Sequence, residues 1–142
     1  MRGIVGEGMS ENVVESLKYL VVKVLAGDFV TLHALKEYLL DGESPSVLSH
    51  KYRIGKFKLR GYIQRVIEKA GNYRVAQYVV KTSYGTLCSL TPIVIRVPGG
   101  YYCTVCDKVL TMNPERHVRL EHKDVVNKVI SDCIRIAKRS KS

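Results

Sequence analysis

The sequence lacks the features of a membrane-spanning or secreted protein. It contains no run of about 18 or more apolar residues, so no transmembrane helix is expected. Its start, MRGIVGEGMSEN, has neither the apolar segment nor the cleavage pattern of a signal peptide. We therefore expect a cytoplasmic protein, in a compartment where cysteine thiols stay reduced and bind metals rather than each other.

The groups that an enzyme would need are also missing. No carboxylate pair, no nucleophile with a base and no open metal site is visible in the sequence. The glycines of residues 1–10 follow no strand and lack the lysine and hydroxyl of a phosphate-binding loop, so a flexible tail is predicted there. We predict a binding protein, not an enzyme, with no small-molecule substrate and no membrane partner.

Acidic residues are scarce in the middle of the chain. Residues 51–99 carry one acidic residue against ten Lys and Arg, whereas residues 1–50 carry seven against four. A segment with such an excess of positive charge needs an anionic partner, and nucleic acid is the commonest one. An acidic protein surface is the alternative.

Apolar residues recur at helical spacing in three stretches of the first half of the chain. Between the first two stretches, Phe29 and Val30 are predicted to be extended, and Thr31 is predicted to cap the second helix. The predicted helices cover residues 13–25, 32–39 and 59–70.

The pattern then changes to the period of two that is typical of strands. Residues 73–81 and 93–97 are rich in β-branched and aromatic side chains, and a turn signal at residues 83–85 separates them. Two glycines after Pro98 interrupt the chain and are predicted to mark a domain boundary. The predicted domains are residues 11–98 and 99–142.

The order of three helices and a β-hairpin resembles the winged helix-turn-helix family over residues 12–97. The segments that carry the resemblance are GDFVTLHALKEYL at 27–39 and KLRGYIQRVIEKAGN at 58–72. The family has a shorter connection between its second and third helices than this chain. The resemblance implies that the third helix enters the major groove of DNA and that the hairpin, or wing, touches the backbone.

This resemblance assigns roles to individual side chains. Arg60, Gln64 and Arg65 are predicted to face base edges, since Arg suits guanine and Gln suits adenine. The side chains predicted to neutralise phosphates are Lys51, Arg53, Lys56 and Lys58, with Lys81 near the wing.

The most specific motif is CTVCDKVLTMNPERHVRLEH at residues 103–122, with the spacing Cys-x2-Cys-x10-His-x4-His. Two cysteines in a turn and two histidines on a helix satisfy tetrahedral Zn²⁺ and leave no open position, so a structural role is expected. Cys88 and Cys133 are expected to be buried apolar residues rather than ligands. The predicted ligands of one structural Zn²⁺ are Cys103, Cys106, His117 and His122.

The segment 101–124 resembles the Cys2His2 zinc-finger family. Tyr101 and Leu110 match the aromatic and apolar positions of that family. The chain departs from the family in having ten rather than twelve residues between the second Cys and the first His. It also has Pro114 at an apolar position, where it fits the first residue of a helix capped by Asn113. A ββα-like finger followed by an extended helix is therefore expected.

The finger offers cations of its own, although acidic neighbours dilute them. Because fingers that read bases usually occur in tandem, this single finger is expected to dock the final helix or to contact phosphate. The apolar residues of that helix suffice to pair with a second copy, giving a homodimer, or to pack back on the first domain. The finger residues predicted to contact nucleic acid are Arg116, Arg119 and Lys123.

Taken together, the sequence predicts an α+β DNA-binding regulator, in which a winged-helix domain precedes a single structural zinc finger. This combination looks like the small regulators of archaea and their viruses, a resemblance of fold only. Duplex DNA is favoured over RNA as the partner. An RNA- or ribosome-associated protein and a module that docks on an acidic partner such as a polymerase are the alternatives.

Overall fold

A computed structural model of the protein describes residues 10–140, so almost all of the predicted tail lies outside the described residues. Within that range the chain is α+β, with five helices, a three-stranded antiparallel sheet and two further helices. None of these helices combines the length and the apolar composition of a membrane span. The helices are α1 (Glu11–Leu25), α2 (Phe29–Leu39), α3 (Pro45–Tyr52), α4 (Lys56–Ala70), α5 (Tyr73–Cys88), α6 (Pro114–Glu121) and α7 (Lys123–Ser140). The strands are β1 (Val94–Val97), β2 (Gly100–Cys103) and β3 (Lys108–Val109).

Helix α1 lies at the centre of the fold. Leu20, Val21 and Val24 are fully buried, and the helix contacts α2, α4, α5, α6 and α7. Ser10 is the N-cap and accepts a hydrogen bond from the N–H of Val13 at 3.2 Å. The helix predicted over residues 13–25 is therefore confirmed.

Helix α2 begins earlier than predicted. Its N-cap is Asp28, whose carboxylate accepts hydrogen bonds from the N–H and the hydroxyl of Thr31 at 3.0 and 2.7 Å. The prediction that Phe29 and Val30 are extended is wrong, because this cap places both in the first helical turn.

An additional helix, α3, occupies the long connection that the sequence shows between α2 and the basic helix. Ser44 caps it through its side chain, and Leu48 is fully buried. Three residues then separate α3 from α4. The first of them, Arg53, has a left-handed φ of 55°. Helix α3 and helix α4 are therefore joined by a tight turn.

Residues 73–81 form the first half of α5, so the prediction of a strand there is wrong. Asn72 caps the helix by accepting the N–H of Val75 at 2.9 Å. The β-branched composition suggested a strand, but the buried positions recur every three or four residues, as packing on α1, α2 and α4 requires. Without this strand the predicted wing is absent from the described residues, and a winged-helix fold is not shown. The buried residues of α5 are Ala76, Val79, Val80, Ser83 and Leu87.

The sheet belongs to the metal-site segment. Strand β1 pairs with β2, with Val94 opposite Cys103, and β2 pairs with β3. The strand predicted at residues 93–97 is confirmed as β1, but its partner lies later in the chain. Pro98 and Gly99, where the sequence predicts a domain boundary, connect β1 to β2, and the φ of 89° at Gly99 suits a hairpin turn.

The sheet and the last helix are joined to the helical core. The N–H of Ile93 donates to the carbonyl of Leu25 at 2.8 Å. The carbonyl oxygen of Val94 lies 2.8 Å from the position of a Cβ at Gly27, which has a φ of 94°. Helix α7 packs back on α1 and α5, one of its two predicted arrangements; a homodimer through the C-terminal helix stays a prediction. Its buried residues are Val126, Val129, Ile130, Cys133 and Ala137.

Candidate functional site

The four predicted metal ligands meet at one point beside the sheet. Cys103 ends β2, Cys106 lies in the turn before β3, His117 lies in α6, and His122 is the residue at which α6 ends. Their potential ligand atoms all lie within 4.8 Å of one another. Three of the residues are buried and Cys106 is exposed. The group could therefore hold one metal ion close to the surface.

The separations between the donor atoms match a tetrahedral site. With the bond lengths of Zn²⁺, tetrahedral angles require about 3.6 Å between a sulfur and a nitrogen and about 3.3 Å between two nitrogens. The Nε2 atoms of His117 and His122 are 3.3 Å apart, and the Sγ of Cys106 is 3.6 Å from each. The Sγ of Cys103 is 3.4 Å from Nε2 of His122. The donor set fits one ion with four protein ligands.

Backbone hydrogen bonds fix the cysteine turn. The N–H of Cys106 donates to the Sγ of Cys103 at 3.3 Å. The N–H of Asp107 donates to the carbonyl of Cys103 at 2.8 Å, and its left-handed φ of 57° closes the turn. The hydroxyl of Tyr102 donates to the Asp107 carboxylate. The protein itself thus holds both sulfurs on one side of the hairpin.

The end of α6 positions the two imidazoles. Asn113 caps this helix by accepting the N–H of Arg116 at 3.1 Å, and Pro114 stands in its first turn, as predicted. Residues five apart on a continuous helix point about 140° away from each other. The backbone leaves the helix at His122, with φ −125° and ψ 38°. Because the helical conformation ends at His122, the imidazole of His122 can turn toward His117.

Burial sets the protonation of two of the ligands. It lowers the pKa of His117, and the neighbouring His122 lowers it further. Although Cys106 is exposed, partial desolvation of its sulfur raises the pKa of the thiol, and the hydrogen bond and charge of Cys103 act in the same direction. His117 is therefore a neutral imidazole at pH 7 and free to bind metal. The thiol needs the charge of a bound cation to lose its proton.

The other two cysteines differ from each other. Cys133 is buried on α7, as predicted, and burial raises the pKa of its thiol to about 11. The predicted burial of Cys88 is wrong, because it ends α5 on the exposed side. Neither belongs to the metal-ligating group found in residues 10–140.

All of the residues predicted to contact nucleic acid are exposed, but they lie on several elements. The largest group surrounds α3, the turn after it and α4. Lys81, which the sequence places near a wing, lies on α5. The full set is Lys51, Arg53, Lys56, Lys58, Arg60, Gln64, Arg65, Lys81, Arg116, Arg119 and Lys123.

Around the α3–α4 turn, one cation is already paired. The Nζ of Lys51 lies 2.7 Å from Oε1 of Glu37, whose pKa is lowered by hydrogen bonds from Lys51 and Tyr52. Within residues 10–140, Arg53 and Lys56 form no salt bridge, and the same holds for Lys58 and Arg60. These four exposed cations are therefore available to an anionic partner.

The three side chains predicted to face base edges do not share one direction. Arg60 and Arg65 are five residues apart on α4 and therefore lie on opposite flanks, about 140° from each other. Gln64 lies nearer the outermost line of the helix and donates to Glu68 at 3.0 Å. The guanidinium of Arg65 lies 6.0 Å from the ring centroid of Tyr62.

A groove of about 270 Å³ between α1, α4 and α6 brings Arg65 and Arg119 together. Lys18 and Lys69, which are not among the predicted residues, line the same groove. The spacing of Lys69, four residues after Arg65 on one helix, is the signal that could identify it. A neighbouring groove of about 390 Å³ is lined by Arg119 and Lys123. The finger helix thus continues the basic flank of α4.

A larger cleft, of about 710 Å³, lies between the α3–α4 turn and the sheet. Arg53 and Lys58 line it from the turn and from α4, and Arg96 lines it from β1. The guanidinium of Arg96 lies 5.6 Å from the ring centroid of Tyr101. A single arginine in a short strand forms no sequence pattern, so this contribution could not be predicted.

Comparison of the chain with protein-family models, with curated proteins and with solved structures gives no match. Its class is therefore defined by the fold and the site: a helical domain followed by a Cys2His2-like metal-binding group on a β-hairpin and helix.

Proposed function

We propose that the protein is a DNA-binding transcriptional regulator that contacts duplex DNA through α3, α4 and the turn between them. The observation that supports this function is the charge of this segment. Residues 51–69 carry seven Lys and Arg against one acidic residue, and every one of those cations is exposed. A short helix, a tight turn and a longer helix with an open outer face form the arrangement of helix-turn-helix proteins.

Buried apolar side chains hold helix α4 against the core, which gives it the fixed position that a recognition helix needs. Leu59, Ile63 and Val66 are buried against the core, and α1 is the main neighbour of this helix. The cations lie along the two flanks of the helix, beside its outermost residues. Rigid support for an exposed basic face suits docking into the major groove, whose walls are phosphates.

We further propose that the Cys2His2 group holds one Zn²⁺ with a structural role. Four protein ligands leave the ion no open position, and the distances between donor atoms fit its tetrahedral geometry. The ion would fix α6, and with it Arg119 and the start of α7, relative to α4. The finger would then add phosphate contacts to those of the helix-turn-helix.

The proposal is tested by removing charge from the α3–α4 unit. The triple variant Lys56→Ala, Lys58→Ala, Arg60→Ala should bind duplex DNA more weakly in fluorescence anisotropy. The slope of log Kd against log salt should shrink by about 0.9 for each phosphate that the variant no longer neutralises. The control variant is Lys128→Ala, Arg135→Ala, whose cations are paired with Asp132 on α7. Equal decreases in affinity in the two variants would argue against the assigned surface.

A further inference from the structure

Phe57 is the most exposed large apolar side chain in the described part of the protein. It is the second residue of α4 and is 88% exposed. The only other phenylalanine of the sequence, Phe29, packs against the core. The fold therefore leaves the ring of Phe57 in water, on a helix whose neighbouring side chains are cations. An exposed aromatic ring in such a position is available to a partner.

Phe57 belongs to an outer ridge on α4, defined here as Phe57, Gly61, Gln64 and Glu68. At about 100° per residue these four lie within about 60° of one another, opposite the buried stripe of the helix. A Cβ at Gly61 would meet the guanidinium of Arg65 at 3.7 Å, an ordinary contact. Packing therefore does not require glycine here, although glycine weakens a helix. Because Gly61 has no side chain, the ridge is low beside the ring of Phe57.

Cations flank the outer ridge on both sides. Lys56 and Arg60 lie on one flank, and Lys58 and Arg65 lie on the other. A helix is about 10–12 Å across, and the major groove of B-DNA is about 12 Å wide between two phosphate walls. The uncharged start of this ridge, Phe57 and Gly61, lies between two rows of cations and matches a base-lined floor between two phosphate walls, whereas Glu68 lies about three turns further along the helix.

We propose that Phe57 reads DNA sequence by contacting the C5-methyl group of thymine in the major groove. Thymine is the base that presents a methyl group there, and phenylalanine is among the side chains that contact it. The N-terminal part of a recognition helix is the part that reaches base edges, and Phe57 lies in the first turn of α4. This inference rests on the proposed function and adds a specificity-determining residue to it.

The test uses the full zinc-loaded chain and a duplex selected from a randomised pool. The same duplex is then made with deoxyuridine in place of thymine, which removes only the methyl groups. Wild-type protein should bind the deoxyuridine duplex about fourfold more weakly for each methyl that it buries. Phe57→Ala should bind the thymine duplex with a similar decrease in affinity and should no longer distinguish the two duplexes. Its salt dependence should be unchanged, because the ring carries no charge.

Two further variants separate this contact from general effects. Phe57→Leu keeps an apolar side chain and should retain part of the discrimination between thymine and deoxyuridine. Val109→Ala removes an exposed apolar side chain from β3 and should leave the discrimination intact. Because Phe57 is exposed, Phe57→Ala should melt at the wild-type temperature.

Each outcome is decisive. If wild-type protein binds both duplexes equally, or Phe57→Ala keeps the full preference for thymine, the methyl contact is wrong while DNA binding stands. If Phe57→Ala weakens binding only to single-stranded or structured RNA, and not to duplex DNA, the ring stacks on RNA bases and the proposed contact with duplex DNA is overturned. If neither duplex binds at all, the proposed function itself fails.

Discussion

The ammonium of Lys23 donates a hydrogen bond to the carboxylate of Glu115 at 2.9 Å, although 92 positions separate the two residues in sequence. The Lys23 side chain is 7% exposed, and its Nζ lies 4.3 Å from the ring centroid of Tyr62. The contact therefore joins α1, α4 and α6 at one point. It ties the helix that carries a metal ligand to the helix proposed to enter DNA.

Removing this acceptor should destabilise the fold. Glu115→Ala leaves the buried Lys23 ammonium without its hydrogen-bond acceptor, with the Asp28 carboxylate 4.0 Å away. The free energy of unfolding should therefore fall by about 1–3 kcal/mol. Urea unfolding of the zinc-loaded protein measures this change. Glu43→Ala, which removes an exposed carboxylate from a loop, should shift the free energy by less than about 0.5 kcal/mol. Equal stability of the two variants would show that the hydrogen bond from Lys23 contributes nothing.

Loss of a metal ligand should unfold the C-terminal unit. Cys106→Ser or His117→Ala breaks the tetrahedral group, and structural zinc contributes on the order of 10 kcal/mol of folding free energy. Elemental analysis measures the zinc content of each variant. Far-UV circular dichroism measures the loss of the helical signal that α6 and α7 contribute. Cys88→Ser, at an exposed cysteine outside the group, should retain one zinc per chain. A wild-type protein without zinc would contradict the assignment.

The two arginines on opposite flanks of α4 should contribute separately to DNA binding. Arg60→Ala and Arg65→Ala should each weaken binding to a selected duplex by about 1–3 kcal/mol. Their effects should add within about 0.5 kcal/mol, since they share no partner. Competition against point-mutated duplexes separates a phosphate contact, whose loss leaves base preference unchanged, from a base contact, whose loss relaxes it. Unchanged affinity in both variants would remove α4 from its proposed role.

Arg119 should act as a phosphate contact. Because it lines the same groove as Arg65, Arg119→Ala should weaken binding uniformly across sequences and reduce the salt slope by about one. Lys128→Ala is the control, because Lys128 pairs with Asp132 on α7 and lies outside that groove. If Arg119→Ala instead changes base preference, the finger reads sequence, which is not expected of a finger that occurs singly.

The Glu37 carboxylate should make stability depend on acid pH. Hydrogen bonds from Lys51 and Tyr52 lower its pKa in the folded protein. Its stabilising contribution is therefore complete above the unfolded value, about 4.3, and is lost as pH falls through the folded value. The difference in Tm between wild type and Glu37→Gln should be largest at neutral pH and shrink below about pH 4.3. A difference that stays constant down to that range would contradict this linkage.

The sequence predicts the residues of the Cys2His2 group better than it predicts the fold. Spacing alone identifies Cys103, Cys106, His117 and His122, because two cysteines in a turn and two histidines on a helix supply the four donors of a tetrahedral ion. Asn113 and Pro114 likewise mark the start of α6 correctly. Helices with a strong apolar stripe, such as α1 and α4, are also visible in the sequence, although α4 begins three residues earlier than predicted.

The misassigned elements show where local patterns fail. Residues 73–81 are rich in Val and Tyr, which favour strands, yet Val79 and Val80 are buried on a helix because the core around α1 requires that face. Helix α3 has little amphipathic signal and depends on Ser44, Pro45 and the single buried Leu48. The groove that joins Arg65 to Arg119 depends on tertiary packing, which no local pattern encodes.

The most direct test of the central claim is the salt-dependent affinity of the zinc-loaded protein for duplex DNA and for structured RNA at matched ionic strength. We expect tighter binding to duplex DNA, with a steep salt slope that falls when Lys56, Lys58 and Arg60 are replaced by alanine. Tighter binding to RNA, or a shallow slope that is unchanged in the triple variant, would contradict the proposed function.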